Sequence, residues 1–288
     1  MLSSISRTLT FLAAALYTIL GLLLFLFSSS LAPVFAWKVT PFVVMTVGAW
    51  SLGTAVFCSA ALITWKWSLV YSSLLYLWLF GILQVIVAFA FRDRLQLAHP
   101  IAWLYLSAIL VSCLAAVMGV VDWLRLRPRI EPLGEKVSTT LRILTFIVVA
   151  FVFLLGVNAV VVKMGTFGTN AEIFPEVISL FTLRGFGALY LALSISGAPL
   201  LFNKGSAVFL QHIIGNSGLI VLIPLAAFLN SSAFDLSTFP TQLIYPGAYI
   251  LGGLVEGLVL YAHRDDLRYL RSQELSEKTS LQPEISNG

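Results

Sequence analysis

The chain has 288 residues, of which 59% are hydrophobic and only 10% charged, with a formal net charge of +4. That balance excludes an ordinary water-soluble domain, in which charged residues make up about a quarter of the chain. It also excludes nucleic-acid binding through a solvated basic face, because the positive charges sit in short loops between long apolar runs.

Eight apolar stretches follow one another at 8–28, 41–64, 68–91, 101–123, 142–163, 176–201, 206–229 and 241–262. Each is close to the roughly 20 residues that a helix rising 1.5 Å per residue needs to cross a hydrocarbon core of about 30 Å. The expected fold class is therefore all-α: a polytopic membrane protein with eight transmembrane helices. The first run, 9–27, is longer than the apolar core of a secretory signal, and 28–32 makes a poor cleavage site. It reads as a membrane anchor. Trp37, Trp65, Trp67 and Trp123 fall at span ends, as interfacial anchors do, whereas Trp50 and Trp78 lie deeper and read as packing residues. Cys58 and Cys113 lie within spans and read as packing, not as a disulfide or metal pair. Asn230-Ser231-Ser232 is a glycosylation sequon, meaningful only in a eukaryotic secretory pathway.

Positive charge sets the orientation. Arg7, Lys66, Arg125, Arg127, Arg129, Lys136, Arg142, Lys204, Arg264, Arg268, Arg271 and Lys278 fall on one side of the alternating spans. Only Lys38, Arg92, Arg94 and Lys163 fall on the other. The expectation is a multi-pass protein of a cytoplasmic membrane with both termini cytoplasmic and the lipid bilayer as its first partner.

An internal duplication is visible. Leu9-Thr10-Phe11 and Leu20-Gly21 recur as Leu144-Thr145-Phe146 and Leu155-Gly156. Gly48-Ala49 recurs as Gly187-Ala188, and Gly119-Val120-Val121 as Gly257-Leu258-Val259. The offsets of 135, 139 and 138 keep their order and helical depth. Two parallel four-helix repeats follow, since four spans is an even number and both copies enter the membrane the same way round. The domain limits are 1–124, a basic cytoplasmic linker at 125–141, a second repeat at 142–264 and a polar tail at 265–288, expected to be disordered. Glycines on spans two, six and eight predict that these three helices are central.

Ionisable residues inside a membrane are candidates for function. Three stand out, all in the second repeat: Arg184, His212 and Glu256. At the same positions the first repeat has Met45 for Arg184 and Met118 for Glu256. Depth along the helices sets Arg184 level with Asn158 near the outer face and sets His212 level with Glu256, each roughly 10 Å above the inner face. Asn216 and Gln211 lie close to His212 in sequence. The candidate binding residues are Arg184, Asn158, His212, Asn216 and Glu256. The competing reading makes Arg184 a snorkelling residue and His212 with Glu256 a hydrogen-bonded pair holding two helices together. Gln84 reads as an interhelical hydrogen bond. Pro224 lies inside span seven, where neighbouring groups must satisfy the freed carbonyl. No catalytic constellation, cofactor motif or metal-ligand spacing is recognisable, and His99 and His263 fall at span ends, where interfacial polar roles suffice.

Trp37-Lys38-Val39-Thr40-Pro41 with Gly48-Ala49-Trp50 resembles a pattern of uncharacterised bacterial multi-pass proteins. Leu183-Arg184-Gly185-Phe186-Gly187-Ala188 resembles the Arg-plus-small-residue helix of DoxX-like four-span proteins. The resemblance implies a doubled four-helix unit and nothing firm about activity. Met45 departs from it in the first repeat. The leading functional expectation is a non-enzymatic accessory or structural subunit, with a membrane-protein partner or a homo-oligomer. The alternatives are a small-solute or ion transporter using the second repeat, and an embedded enzyme acting on lipid or quinone.

Overall fold

The computed structural model describes residues 2–165, 172–203 and 205–266. Among these, eight helices are long and apolar enough to cross a membrane, and no strand is present. They are α1 (Ser4–Leu26), α2 (Pro41–Thr64), α3 (Trp67–Ala90), α4 (Pro100–Leu126), α5 (Thr139–Val161), α6 (Leu180–Gly197), α7 (Ser206–Leu229) and α8 (Ile244–Ala262). Short 3-10 turns extend α6 to Leu201 and precede α8 from Pro240. Lys204, Arg268, Arg271, Lys278 and the expected disordered tail beyond Asp266 lie outside the described residues.

The helix starts are written in local chemistry. Ser3, Thr40, Ser138 and Ser179 each accept a hydrogen bond from the backbone N–H three residues on. Each thereby satisfies one of the donors that a helix start leaves open. Pro41 and Pro100 open α2 and α4, where a missing N–H does no harm.

Packing follows a paired plan. α1 lies against α2 and α4, and α3 packs on α4. In the second half α5 packs on α6, and α7 packs on α8. The halves join where α2 crosses α7 and α3 crosses α6, with α3 touching α7 between them. α1 and α4 are in close contact, whereas α5 and α8 barely meet. α2 and α6 are the most buried helices, and α5 and α8 the least.

Glycine sets how closely the pairs approach. A Cβ on Gly21 would meet the Leu52 N at 2.8 Å, and one on Gly48 the Phe25 N at 2.6 Å. A Cβ on Gly156 would meet the Leu191 N at 2.9 Å, and one on Gly187 the Val160 N at 3.1 Å. The α1/α2 and α5/α6 crossings thus use residues separated by the same offsets, 135 and 139. Gly53 of α2 is pressed against Leu219 of α7, with 2.3 Å from a would-be Cβ to Leu219 Cδ2.

The expectation of a central α8 is corrected. Gly247 and Gly257 have nothing within 4 Å of a would-be Cβ, and α8 lies at the edge of the bundle, with α3 more buried instead. Glycine permits close approach without specifying a partner, so a glycine-rich face can equally look onto open space.

The interhelical ends are tied by polar contacts. Asp122, near the end of α4, accepts from the Ser3 N–H at 2.9 Å and from the Ser3 and Ser6 hydroxyls at 2.5 Å. A buried carboxylate thereby sits at the positive end of α1. On the same side, the linker residues Leu133 and Glu135 accept from the Ala207 and Ser206 N–H groups, pinning the linker to the start of α7. At the opposite end Trp37, buried and not interfacial as expected from its position, stacks on Phe181 at 4.4 Å and donates to the Thr182 hydroxyl. Trp65 and Trp67 are buried too, whereas Trp123 is exposed as an anchor should be.

Thr40, preceding α2, donates to Glu176 in the segment leading into α6. Burial pushes the Glu176 carboxyl above its ordinary value, and the Thr40 hydrogen bond only partly opposes this. The folded state holds this proton more tightly than the unfolded chain. Stability should therefore fall as pH rises from the ordinary carboxylate range through the raised value. Melting temperature measured from about pH 4 to about pH 7 should contain a falling component that Glu176→Gln removes. A second expectation concerns packing. Gly53→Val should lower stability by about 1–3 kcal/mol, while Gly257→Ala should be neutral or slightly stabilising, as read by thermal unfolding in detergent.

Candidate functional site

The four helices of the second half line an open-sided chamber of about 120 Å³. α5 contributes Thr145, Val148 and Val152; α6 contributes Tyr190, Leu193 and Ser194; α7 contributes His212, Ile213, Asn216 and Ile220; α8 contributes Tyr249, Gly252, Val255 and Glu256. α3 packs against both α6 and α7. The open side lies toward α5 and α8, which barely meet. The exposed flanks of these two helices are apolar, including Phe146, Phe151, Leu154, Leu251, Leu254 and Leu258. The chamber therefore faces the bilayer.

In the first half the Trp78 ring of α3 occupies the space over Gly119 of α4, its Cζ2 2.0 Å from a would-be Cβ. Gly257 of α8 meets nothing because it is exposed on the outer side of its helix, apart from the residues that line the chamber.

Three polar residues, His212, Asn216 and Glu256, are among those lining the chamber. The Ser72 hydroxyl on α3 donates its one proton to the Ser196 carbonyl at 2.6 Å, so it must accept from His212 Nδ1 at 2.8 Å. That assigns the ring proton of neutral His212 to Nδ1 and leaves Nε2 as an acceptor. The ring is further held edge-on to Phe57 at 5.4 Å. One turn along α7, the Asn216 amide donates to a Glu256 carboxylate oxygen at 2.5 Å. The Asn216 Oδ1 is buried and has no hydrogen-bond partner among the described residues. A lone buried acceptor is unfavourable by about 1–3 kcal/mol unless something donates to it.

The candidate residues therefore separate. His212, Asn216 and Glu256 share the chamber, with the Asn216–Glu256 pair made directly. His212 takes Ser72 as its hydrogen-bond partner, and no hydrogen bond or ion pair joins it to Glu256. Arg184 and Asn158 belong elsewhere. Arg184, half-buried on α6, donates to the Ala159 carbonyl at 2.5 Å and the Val162 carbonyl at 2.7 Å. It caps the C-terminal end of α5, where carbonyls lack partners and the helix dipole favours a cation. The Asn158 side chain is exposed and makes no hydrogen bond to Arg184. Gln84 behaves as expected, donating to the Gly185 carbonyl at 3.0 Å and accepting from the Tyr105 hydroxyl at 3.2 Å. Ser72, Tyr190 and Tyr249 were not foreseen. A serine on another helix, 140 positions away, leaves no local mark in the sequence.

No protein-family model matches the chain, and no curated protein or solved structure shows significant similarity to it.

The Arg184 cap yields a prediction. Arg184→Gln should lower stability by about 1–3 kcal/mol by stranding two carbonyls. Arg184→Lys should recover only part of this, since an ammonium lacks the planar fork. Hydrogen exchange should show the loss concentrated at the end of α5.

Proposed function

We propose that this integral membrane protein binds a lipid-soluble small molecule in the chamber of its second four-helix unit. The molecule would carry an apolar body and a head group that donates hydrogen bonds, such as a hydroxyl or amine. The observation that carries this reading is the clustering of His212, whose Nε2 is left to accept, with the hydrogen-bonded Asn216–Glu256 pair in the lining of an otherwise apolar chamber. An apolar tail would lie along Val148, Val152, Ile220 and Val255, and entry would be from the bilayer between α5 and α8. Binding, carriage or sensing of an amphipath is favoured over a purely structural role, because a structural unit gains nothing from an unfilled centre.

In this reading the two units are copies of one ancestral four-span unit, of which the first became the scaffold. The matching glycine contacts of α1/α2 and α5/α6 support the duplication, and a DoxX-like ancestor is one form it would take. The excess of Lys and Arg on one side supports cytoplasmic termini.

Native mass spectrometry of protein extracted gently from its own membrane tests the reading. Wild type should retain one small amphipath per chain. Asn216→Trp, which places an indole in the chamber, should abolish retention. Glu256→Gln should weaken it about tenfold or more, as expected for losing a charge-assisted hydrogen bond. An empty wild-type protein, or undiminished retention in Asn216→Trp, would contradict the assignment.

A further inference from the structure

Away from the chamber, at the end of the molecule where the linker meets α7 and α8, the fold gathers three groups of metal-ligating type. Glu135 lies on the linker, and His263 and Asp266 lie just past α8. Ligand atoms of all three are within 4.8 Å of one another. We propose that they bind one divalent transition-metal cation of the zinc or manganese class, which clasps the linker between the two units to the end of α8.

Two observations lift this above a chance meeting of polar groups. His263 is only 7% exposed, and its Nδ1 has no hydrogen-bond partner, although it points at Asp266 Oδ2, 3.5 Å away. A buried imidazole nitrogen left unsatisfied beside a carboxylate is what a metal ligand looks like before its ion is bound. The second observation is the support around Asp266, whose side chain is 12% exposed. Its Oδ2 accepts from the Ser206 hydroxyl at the start of α7 and from the Glu135 backbone N–H at 3.2 Å. These bonds fix the carboxylate plane in the way that outer contacts orient metal ligands. Among the described residues, the one charge partner within 4.0 Å of Asp266 is His263 itself.

The donor set of one imidazole and two carboxylates, without thiolate, suits zinc, cobalt or manganese. Bond lengths of about 2.0–2.2 Å require the three side chains to close in slightly, and a water would complete the shell. The consequence is mechanical. α8 packs chiefly on α7, its N-terminal part is also held by Tyr245 and Tyr249 against Phe42, Phe186 and Tyr190, and it forms one lip of the chamber. A metal clasp at its end would anchor that lip to the linker. The site stands apart from the chamber and does not depend on a ligand there.

The test uses the full chain without a histidine tag, in lipid nanodiscs, stripped with chelator and titrated separately with Zn²⁺, Mn²⁺ and Co²⁺ by calorimetry. One saturable equivalent per chain is expected for at least one of the ions. His263→Ala and Asp266→Asn should weaken it tenfold or more, Ser206→Ala should weaken it less, and Glu256→Gln should leave it unchanged. Wild-type protein loaded with Co²⁺ should also show the visible absorption of a nitrogen- and oxygen-ligated ion, a readout that needs no variant to fold. Absence of saturable binding by all three ions, or undiminished binding in folded His263→Ala, would overturn the proposal, leaving His263 and Asp266 as a plain ion pair.

Discussion

Close backbone contact between helices is the constraint on which the structure depends. Lipid removes the hydrophobic drive between apolar helices, so association rests on packing distance and on the few polar contacts that span the interfaces. Gly21 against Leu52, Gly48 against Phe25, Gly156 against Leu191 and Gly187 against Val160 bring two pairs of helices close enough for backbone atoms to touch. Gly53 and Gly218 do the same across the seam between the halves. Asp122, Gln84 and Arg184 then spend their polar atoms at helix ends or on backbone carbonyls, so that each stabilises an interface.

The two halves differ in how tightly they close. Trp78 packs over Gly119 in the first, with α1 and α4 in close contact, whereas α5 and α8 of the second barely meet. The chamber of the second has polar residues in its lining, and the orientation of His212 is set from the neighbouring half through Ser72 on α3. The compact half thus does more than support the open one: it fixes the proton on His212.

Much of this was legible in the chain. The eight spans stand out because a bilayer demands long apolar runs, and the helix limits at Pro41–Thr64 and Ser206–Leu229 coincide with the sequence reading. Depth set Glu256 level with His212, and both line the chamber, but Glu256 bonds Asn216, one turn along α7, and His212 bonds Ser72. The role of α8 could not be inferred, since its glycines look the same in sequence whether they meet a helix or a void. His212 with Ser72, 140 positions apart, and Glu135 with Asp266, 131 apart, join distant residues, and His263 and Asp266 lie at a helix end where rotation about the axis is undetermined. Asp122 drew no reading from the sequence, although it lies within the 101–123 run; in the structure it closes the start of α1.

The measurement that bears most directly on the central claim is photolabelling in membranes with an amine-headed lipid analogue carrying a diazirine in its chain, followed by peptide mapping. The account predicts saturable labelling concentrated on the chamber faces of α5 and α8, around residues 145–155 and 248–259, and competed by the unmodified amphipath. Labelling spread evenly over the outer faces of α1, α4 and α5, without saturation, would mean that the chamber holds no ligand and that its polar wall serves packing alone.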